Sequence, residues 1–181
     1  MKYYLAYGSN LNLTQMFHRC PDAQVIGYTY LPGRHLVFRG SGSGNYLTLD
    51  KGIDQVPCGV FAISARDEHS LDRYEGFPAF YKKEVVRVDQ VWGRYYRQPD
   101  PDLRNLEAMV YVMAEGHPLG GPTATYWRTC VQGYRDFSFD QQILKRALID
   151  SRAGGKQQPE ITNTEARSLS KSRASVPRGF I

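Results

Sequence analysis

The pattern of hydrophobic positions begins with a short apolar and aromatic run, KYYLAY at 2–7, which stops abruptly at Gly8-Ser9-Asn10. A run of this length that ends at glycine and two small polar residues is typical of a buried strand followed by a tight turn. Asn12 comes next, where its side chain can cap a short helix over Leu13–Arg19. The sequence therefore predicts a strand, a turn and a helix in immediate succession.

Four further segments are rich in β-branched and aromatic residues. Those at 23–31 and 35–39 flank Pro32-Gly33, which predicts a β-hairpin with its turn at this dipeptide. The segments NYLTLD at 45–50 and VPCGVFAIS at 56–64 predict two more strands.

Helix boundaries are marked clearly in the next part of the chain. Ser64 is placed to cap a helix that runs through Glu75, and Gly76 stands where a left-handed residue would end it. The apolar, β-branched runs at 80–88 and 107–114 predict two further strands.

Two more helices are expected toward the end of the folded region. Residues 123–137 have a helical pattern, and Ser138 with Gln141 matches a capping box for a last helix through about Arg152. Many strands with few interspersed helices predict an α+β fold in which the sheet is mostly antiparallel. The pattern alone leaves open whether the sheet curls into a barrel.

Charge and composition divide the chain into two parts. Of the formal net charge of +5, residues 151–181 carry +4, and Phe180 is the only aromatic residue beyond 150. The sequence therefore predicts a folded domain over 1–150 and a basic tail over 151–181 that is mobile or loosely docked. A basic tail can contact nucleic acid, but this one lacks a dense run of Lys and Arg, so a solvated terminus is favoured and nucleic-acid binding is not expected.

The remaining composition argues against several classes of protein. The cysteines Cys20, Cys58 and Cys130 are odd in number and widely spaced, which favours reduced thiols in a cytoplasmic protein. The four histidines lack metal-ligand spacing and the cysteines do not complete a metal set, so no metal is expected. No stretch approaches the roughly 20 apolar residues of a membrane span, and the N-terminus turns polar too early for a signal peptide. The oligomeric state stays open.

The turn at Tyr7-Gly8-Ser9-Asn10-Leu11 is the first candidate for chemistry. A glycine-containing turn that leads into a helix presents backbone N–H groups outward, and such groups bind carboxylates, phosphates or a developing oxyanion. The alternative is an ordinary connection between a strand and a helix, which also needs glycine and asparagine.

Glu75 is the second candidate. It lies four residues after Leu71 and so shares the apolar face of the predicted helix. It also lies in the last helical turn, where the carbonyl groups disfavour an anion. Burial and the helix end would both raise its pKa toward neutrality, which suits general acid–base catalysis. The alternative is a solvent-facing glutamate with an ordinary pKa.

Other residues have plainer interpretations. Gly40–Gly44 resembles a phosphate loop only superficially, because no lysine follows it, and a hairpin tip is favoured. The tyrosines Tyr81, Tyr111 and Tyr126 lie within predicted strands or helices and are core residues by default.

Several blocks of the sequence together resemble the gamma-glutamylcyclotransferase-like superfamily. They are YGSNL after the first strand, LDRYEGFPAFYKKEVVRV, MVYVMAEG and GGPTATYWRTCVQGYRDF, and the resemblance covers roughly residues 2–150. It implies a small β-barrel with flanking helices and a small-molecule γ-glutamyl substrate. It further implies that Glu75 is the acid–base residue and that substrate is bound by the turn and by pocket tyrosines, namely Tyr7, Gly8, Ser9, Asn10, Leu11, Tyr81, Tyr111 and, less specifically, Tyr126.

The expected reaction is an intramolecular one. The α-amine of a γ-glutamyl compound attacks its own γ-carbonyl, releasing 5-oxoproline and a free amine or amino acid, with no metal or cofactor. The other hypothesis is a binding or scaffold protein that keeps the barrel and pocket without activity, since a fold does not fix a function. The group attached to the γ-carboxyl is not specified by the sequence.

Overall fold

Five β-strands close into a barrel in the computed structural model, which describes residues 1–42, 44–94 and 98–156. The order around the barrel is first, third, second, fourth and fifth strand, and every neighbouring pair is antiparallel except the first with the fifth. The strands are β1 (Lys2–Ala6), β2 (Gln24–Ser41), β3 (Gly44–Ile63), β4 (Tyr81–Trp92) and β5 (Pro99–Met113).

Four α-helices flank this barrel within the described residues, and a short 3₁₀ turn at Ser9–Leu11 follows β1. The predicted fold class, an α+β fold with a small and mostly antiparallel barrel, is therefore confirmed. The helices are α1 (Leu13–Arg19), α2 (Ala65–Glu75), α3 (Ala124–Asp136) and α4 (Gln141–Lys156).

The predicted hairpin turn at Pro32-Gly33 is wrong. Residues 24–41 form one continuous strand, which pairs along its length with β3. Gly33 adopts a left-handed φ of 71°, and the register shifts there from Pro32 paired with Gln55 to Arg34 paired with Lys51. The extra residues of this irregularity lie on β3, and β2 continues without reversing. The chain reverses instead where Ser41 pairs with Gly44, within the glycine-rich segment expected to be a hairpin tip.

Helix α2 begins and ends where its capping residues predict. The Ser64 hydroxyl accepts from the backbone N–H of Asp67, and the Asp67 carboxylate accepts from the N–H of Ser64, forming a reciprocal capping box. Gly76 adopts the left-handed conformation with φ of 64° and ends the helix. Leu71 is fully buried, and this fixes which face of the helix meets the barrel.

The start of α4 differs from the prediction. Ser138 has a left-handed φ of 55°, which is not the extended backbone of a capping residue. Asp140 lies directly before the helix, and its carboxylate accepts from the backbone N–H of Gln142 at 2.9 Å. Asp140 therefore caps the N-terminus of α4 in place of Ser138. Ser138 and Gln141 therefore do not form the expected capping box.

The end of α4 lies further along the chain than the expected Arg152. The helix continues to Lys156, and the buried Ser151 hydroxyl accepts from the N–H of Phe38 on β2 at 2.8 Å. The predicted basic tail over 151–181 therefore begins with helical residues, and its remainder, 157–181, lies outside the described residues.

Helix α3 packs directly on the turn that follows β1. A Cβ added to Gly133 would lie 2.6 Å from the backbone nitrogen of Asn12 and 2.6 Å from Cβ of Leu11, so only glycine permits this approach. The backbone N–H of Leu13 also donates to the Asp136 carboxylate at 3.0 Å. The turn is thereby held between the barrel and α3.

Candidate functional site

Backbone N–H groups line the turn that follows β1. The N–H of Leu11 donates to the carbonyl of Gly8 at 3.0 Å, and that of Asn12 donates to Ser9 at 3.1 Å, closing the 3₁₀ turn. Within the described residues, no carbonyl or side chain accepts from the N–H groups of Ser9 or Asn10. Unsatisfied N–H groups at the start of a helical turn can hold a carboxylate or an oxyanion.

A small cavity opens beside this turn. Side chains from β1, β3, α2, β4, β5 and α3 converge on it, because the turn lies at one end of the barrel. Its walls are formed by Tyr4, Tyr7, Gly8, Ser9, Asn10, Leu47, Glu75, Tyr81, Tyr111 and Tyr126. Two larger clefts of about 420 Å³ each lie elsewhere on the surface, but they include none of the candidate residues.

Glu75 projects its carboxylate into this cavity from the last turn of α2. The residue as a whole is only partly buried, and its side chain lines the cavity together with the tyrosines. Burial raises the pKa of Glu75 from 4.5 to about 7, while a hydrogen bond from Asn10 and the charge of Arg19 act in the opposite direction. A carboxyl group with this pKa is well suited to accept and return a proton near neutral pH.

Asn10 connects Glu75 to the first helix. Its Nδ2 donates to Oε1 of Glu75 and to the hydroxyl of Tyr4, both at 2.9 Å. Its Oδ1 accepts from Nη1 of Arg19 at 2.5 Å, and Nη2 of Arg19 donates to Oε1 of Gln15 at 2.9 Å. Hydrogen bonds therefore link Glu75 through Asn10 to Arg19, and Arg19 in turn to Gln15.

The pocket tyrosines use their hydroxyl groups to hold the barrel together. Tyr7 donates to the carbonyl of Tyr111 at 2.6 Å, and Tyr81 donates to the carbonyl of Leu47 at 2.7 Å. The hydroxyl of Tyr126 accepts from the N–H of Leu47 at 3.2 Å. Burial raises the pKa of Tyr7, Tyr81 and Tyr126 well above the usual value, so these phenols stay protonated.

Tyr111 is tied to an ionic cluster behind the cavity wall. Its hydroxyl donates to Oδ1 of Asp72 at 2.6 Å. Nζ of Lys83 lies 2.8 Å from the same oxygen and 2.6 Å from Oε1 of Glu68, which also pairs with Lys2. Burial and the hydrogen bond to Asp72 raise the pKa of the Tyr111 phenol, so this side chain is a wall of the cavity rather than a base.

The structure brings together eight of the nine residues expected at the site. Leu11 is the exception, because its side chain is fully buried beneath the turn and does not line the cavity. The other eight are Tyr7, Gly8, Ser9, Asn10, Glu75, Tyr81, Tyr111 and Tyr126.

Three residues of the site had no sequence signal. Tyr4 lies inside β1, where an aromatic residue is indistinguishable from an ordinary core residue. Leu47 reaches the cavity because β3 pairs with β2 and crosses this end of the barrel. Arg19 belongs to α1, and its contact with Asn10 depends on how that helix folds back over the turn. Their roles follow from the three-dimensional arrangement and not from spacing.

Residues 1–42, 44–94 and 98–156 contain no group of three or more His, Cys, Asp or Glu side chains placed to hold a metal ion. No helix in these ranges has both the length and the apolar character to cross a bilayer.

Comparison with known proteins identifies the family. The family model for gamma-glutamyl cyclotransferase, AIG2-like, matches residues 4–129, which is more than half of the chain and includes every residue that lines the cavity. The chain belongs to this family. The gamma-glutamyl cyclotransferase resemblance expected from the motifs is thereby confirmed, and it supports an enzyme that acts on a small γ-glutamyl compound.

Solved structures similar to this gamma-glutamyl cyclotransferase-like chain support the same fold. A gamma-glutamyl cyclotransferase has a TM-score of 0.66 at 18% identity, covering 94% of this chain and 98% of its own. An uncharacterized protein from Homo sapiens has a TM-score of 0.63 at 18% identity, covering 93% and 98%. YkqA from Bacillus subtilis also has a TM-score of 0.63 at 18% identity, covering 82% of this chain and 54% of its own. The comparison with curated proteins gave no match.

Proposed function

We propose that this protein cyclises a γ-glutamyl compound to 5-oxoproline and releases a free amine or amino acid, with Glu75 as the general acid and base. The observation that carries the proposal is the position of the Glu75 carboxylate, which shares one small cavity with the turn at Gly8–Asn10. A carboxyl group with a pKa of about 7 thus lies beside N–H groups that have no acceptor among the described residues.

The chemical step begins with the α-ammonium group of the substrate. Glu75 accepts one of its protons, and the neutral amine attacks the γ-carbonyl carbon to form a tetrahedral intermediate. The bond to the leaving nitrogen then breaks as Glu75 returns a proton to it. Glu75 then takes the remaining proton from the ring nitrogen and passes it to the departing amine. Two protons in all thus move from the attacking to the leaving nitrogen, the amine departs as an ammonium ion, and Glu75 is ionised again.

Positioning supplies much of the rate in this scheme. Well-aligned intramolecular reactions reach effective molarities of about 10⁵–10⁸ M, because the reacting groups need not find each other. General acid–base catalysis by one positioned carboxyl group adds about 10²–10⁴-fold. The N–H groups of Ser9 and Asn10 would hold the α-carboxylate or the oxyanion that develops on the γ-carbonyl.

The rigid tyrosines fit this scheme. Tyr7, Tyr81 and Tyr126 have their hydroxyl groups bonded to the barrel, so their rings can shape the cavity around a folded substrate. A site that favours the cyclic conformation over the extended one lowers the barrier by orientation alone.

The test is to replace Glu75 by Gln and to assay 5-oxoproline with a panel of γ-glutamyl amino acids, γ-glutamylamines and glutathione. Glu75→Gln keeps the size and the acceptor for Asn10 but cannot carry the proton, so turnover should fall by about 10²–10⁴-fold. The matched control is Glu107→Gln, which removes an exposed carboxylate from β5 and should retain turnover.

Circular dichroism should show both variants folded. Full turnover by Glu75→Gln would refute the role of this residue. Binding of these compounds by the unaltered protein without any 5-oxoproline would instead favour a non-catalytic binding protein.

A further inference from the structure

An ionic cluster lies behind the wall of the cavity, where side chains of α2 meet those of β4 and β5. Lys83 and Tyr111 are directly opposite each other in the pairing of these two strands, so their side chains leave the sheet on the same face. Both reach Asp72 on α2. The Tyr111 hydroxyl donates to Oδ1 of Asp72 at 2.6 Å, and Nζ of Lys83 lies 2.8 Å from Oδ1 and 2.9 Å from Oδ2. One carboxylate therefore ties the helix to two neighbouring strands.

Lys83 is the cation that compensates the acidic side chains of α2 in this cluster. Its Nζ also lies 2.6 Å from Oε1 of Glu68, which stands four residues before Asp72 and so on the same side of the helix. In the described part of the chain no other cation pairs with Asp72, whereas Glu68 also pairs with the exposed Lys2 at 2.7 Å. Burial lowers the pKa of Lys83, but its bonds to Asp72 and Glu68 outweigh burial and raise that pKa, so Lys83 stays charged at neutral pH.

Glu75 lies close enough to this cluster to be affected by its charge. It stands three residues after Asp72 on α2, so the two carboxylates project from the same side of the helix. Burial raises the pKa of the Tyr111 phenol most, followed by the hydrogen bond to Asp72, the charge of Asp72 and the charge of Glu75. The same hydroxyl is thus near both carboxylates. An uncompensated charge on Asp72 would therefore disfavour ionised Glu75.

Tyr111 connects the cluster to the cavity. Its ring packs edge to face on Tyr4 at 5.8 Å, and its carbonyl accepts from the Tyr7 hydroxyl at 2.6 Å. The hydroxyl of Tyr4 accepts from Nδ2 of Asn10, which also donates to Glu75. The ring that the cluster fixes therefore contacts two further walls of the cavity, and one of those walls is bonded to the residue that holds the acid.

We propose that Lys83 is a positioning residue for the reaction. By compensating the charge of Asp72, it lets that carboxylate hold the Tyr111 hydroxyl without disfavouring ionised Glu75. This inference rests on the proposed function. Lys83 does not line the cavity, so it acts on the acid only through its neighbours.

Other titratable groups face Glu75 from the elements around it. Burial raises the pKa of Glu75, while Asn10 of the turn and Arg19 of α1 lower it. The remaining groups are phenols, which carry no charge near pH 7. They are Tyr4 and Tyr7 from β1 and the residue after it, Tyr46 from β3, Tyr74 from α2, Tyr81 from β4, Tyr111 from β5 and Tyr126 from α3. None of these groups is altered in the variants that test the proposal.

The experiment measures the pH dependence of kcat/KM for Lys83→Met, Asp72→Asn and the double variant, from 5-oxoproline release by the γ-glutamyl compound of the panel that the unaltered protein turns over fastest. Lys83→Met leaves Asp72 uncompensated, so the acid limb should move to higher pH by about 0.5–1 pH unit. Asp72→Asn keeps an acceptor for Tyr111 but removes the negative charge, so the limb should move to lower pH. The double variant removes one charge of each sign and should return the limb close to its original position.

Two further variants separate the charge of Lys83 from a loss of structure. Lys83→Arg keeps the charge at the same place on β4 and should leave the acid limb unmoved, with kcat/KM reduced by less than about threefold. Lys82→Met is the matched control, because Lys82 is the exposed neighbour whose side chain leaves β4 on the opposite face. It should alter neither the limb nor kcat/KM. Should Lys83→Met not fold, the opposite shift expected for Asp72→Asn still tests the proposal.

Each outcome decides one of the two proposals. An acid limb that stays in place in Lys83→Met, or that moves equally in Lys82→Met, would overturn the role of Lys83 and leave the cyclisation intact. Shifts of the same sign in Lys83→Met and Asp72→Asn would also overturn it, because a loosened wall and not charge would then explain both. Failure of the unaltered protein to release 5-oxoproline from any compound of the panel would overturn the proposed function and the inference with it.

Discussion

The side-chain amide of Asn10 is oriented by Arg19 so that its donor group faces Glu75. A guanidinium group only donates, so the atom of Asn10 that lies 2.5 Å from Nη1 of Arg19 must be its oxygen. The NH₂ group then lies 2.9 Å from Oε1 of Glu75. Burial has the largest effect on the pKa of Glu75, and Arg19 lowers that pKa both through its charge and by orienting Asn10.

Asn10→Asp should raise the pKa of Glu75 above its value of about 7. The substituted side chain keeps the contact with Arg19 but replaces two N–H donors by a second negative charge, and both changes disfavour ionised Glu75. The acid limb of kcat/KM against pH should move to higher pH, with activity at pH 7 reduced roughly tenfold or more.

In the unaltered enzyme, kcat/KM should fall below a pH of about 7. The control variant is Asn105→Asp, which places the same new charge at an exposed position on β5 and should leave this acid limb in place. An acid limb that stays in place in Asn10→Asp would mean that Asn10 does not tune the acid.

Arg19→Gln should shift the same limb in the same direction. The charge of Arg19 lowers the pKa of Glu75, and its removal also frees the Asn10 amide to rotate. Arg19→Lys keeps the charge but loses the planar fork that contacts both Asn10 and Gln15, so its shift should be smaller. The measurement is the pH dependence of kcat/KM for the three proteins.

Arg73→Gln serves as the control for charge, because Arg73 is exposed on α2 only two residues before Glu75. A shift of similar size in this variant would show that any nearby positive charge has the effect. Identical profiles for Arg19→Gln and Arg19→Lys would show that geometry contributes more than charge.

Stability should depend on pH through Glu75. Its pKa rises from 4.5 to about 7 on folding, so the native state holds the proton more tightly than the unfolded chain. The resulting stabilisation is complete below pH 4.5 and is lost as the pH rises through 7. Relative to the unaltered protein, Glu75→Gln should gain roughly 1–3 kcal/mol in free energy of unfolding between about pH 5 and pH 8.

Urea denaturation at both pH values measures this difference, with Glu107→Gln as the exposed reference. A gap between Glu75→Gln and the unaltered protein that is the same at both pH values would show that Glu75 titrates normally in the folded state.

Gly133→Ala should destabilise the protein by about 1–3 kcal/mol and lower its activity, since the new methyl group would collide with the backbone of Asn12 and displace the turn. Thermal melting and 5-oxoproline release measure the two effects. Arg135→Ala, exposed on the same helix, should alter neither. A Gly133→Ala protein with unchanged melting and full activity would show that the turn adapts freely.

Local signals were sufficient where capping residues determine an element. Ser64 and Gly76 mark both ends of α2, and the spacing from Leu71 to Glu75 indicated that the acid would face inward. These features depend on hydrogen bonds and periodicity within a few residues, which can be read directly from the chain.

Elements that depend on distant partners were harder to predict. Pro32-Gly33 has the composition of a turn, but pairing of β2 with β3 on both sides of it makes the chain continue through a bulge. Ser138 precedes Gln141 at the spacing of a capping box, but its left-handed backbone leaves capping to Asp140. At Pro32-Gly33 the pairing of distant strands overrides the local preference. Ser138 instead takes part in ending α3, where its N–H donates to the carbonyl of Arg135 at 3.0 Å and that of Phe139 donates to Tyr134 at 2.8 Å.

The residues of the cavity also divide into those that local motifs predict and those that depend on distant contacts. Motifs identified the turn and Glu75, while Leu47 lines the cavity only because β3 crosses that end of the barrel. Leu11 belongs to the same motif as its neighbours, but the 3₁₀ turn directs its side chain into the core.

Strand β1 has hydrogen-bonded neighbours on both sides, antiparallel β3 and parallel β5. The segment that leads into Gly8 is therefore fixed during folding, and an arriving molecule need not order it. The conformational entropy of this segment is therefore lost when the protein folds and not when a ligand binds. Discrimination among ligands at this wall consequently rests on fit to a preformed chamber rather than on closure around the bound molecule.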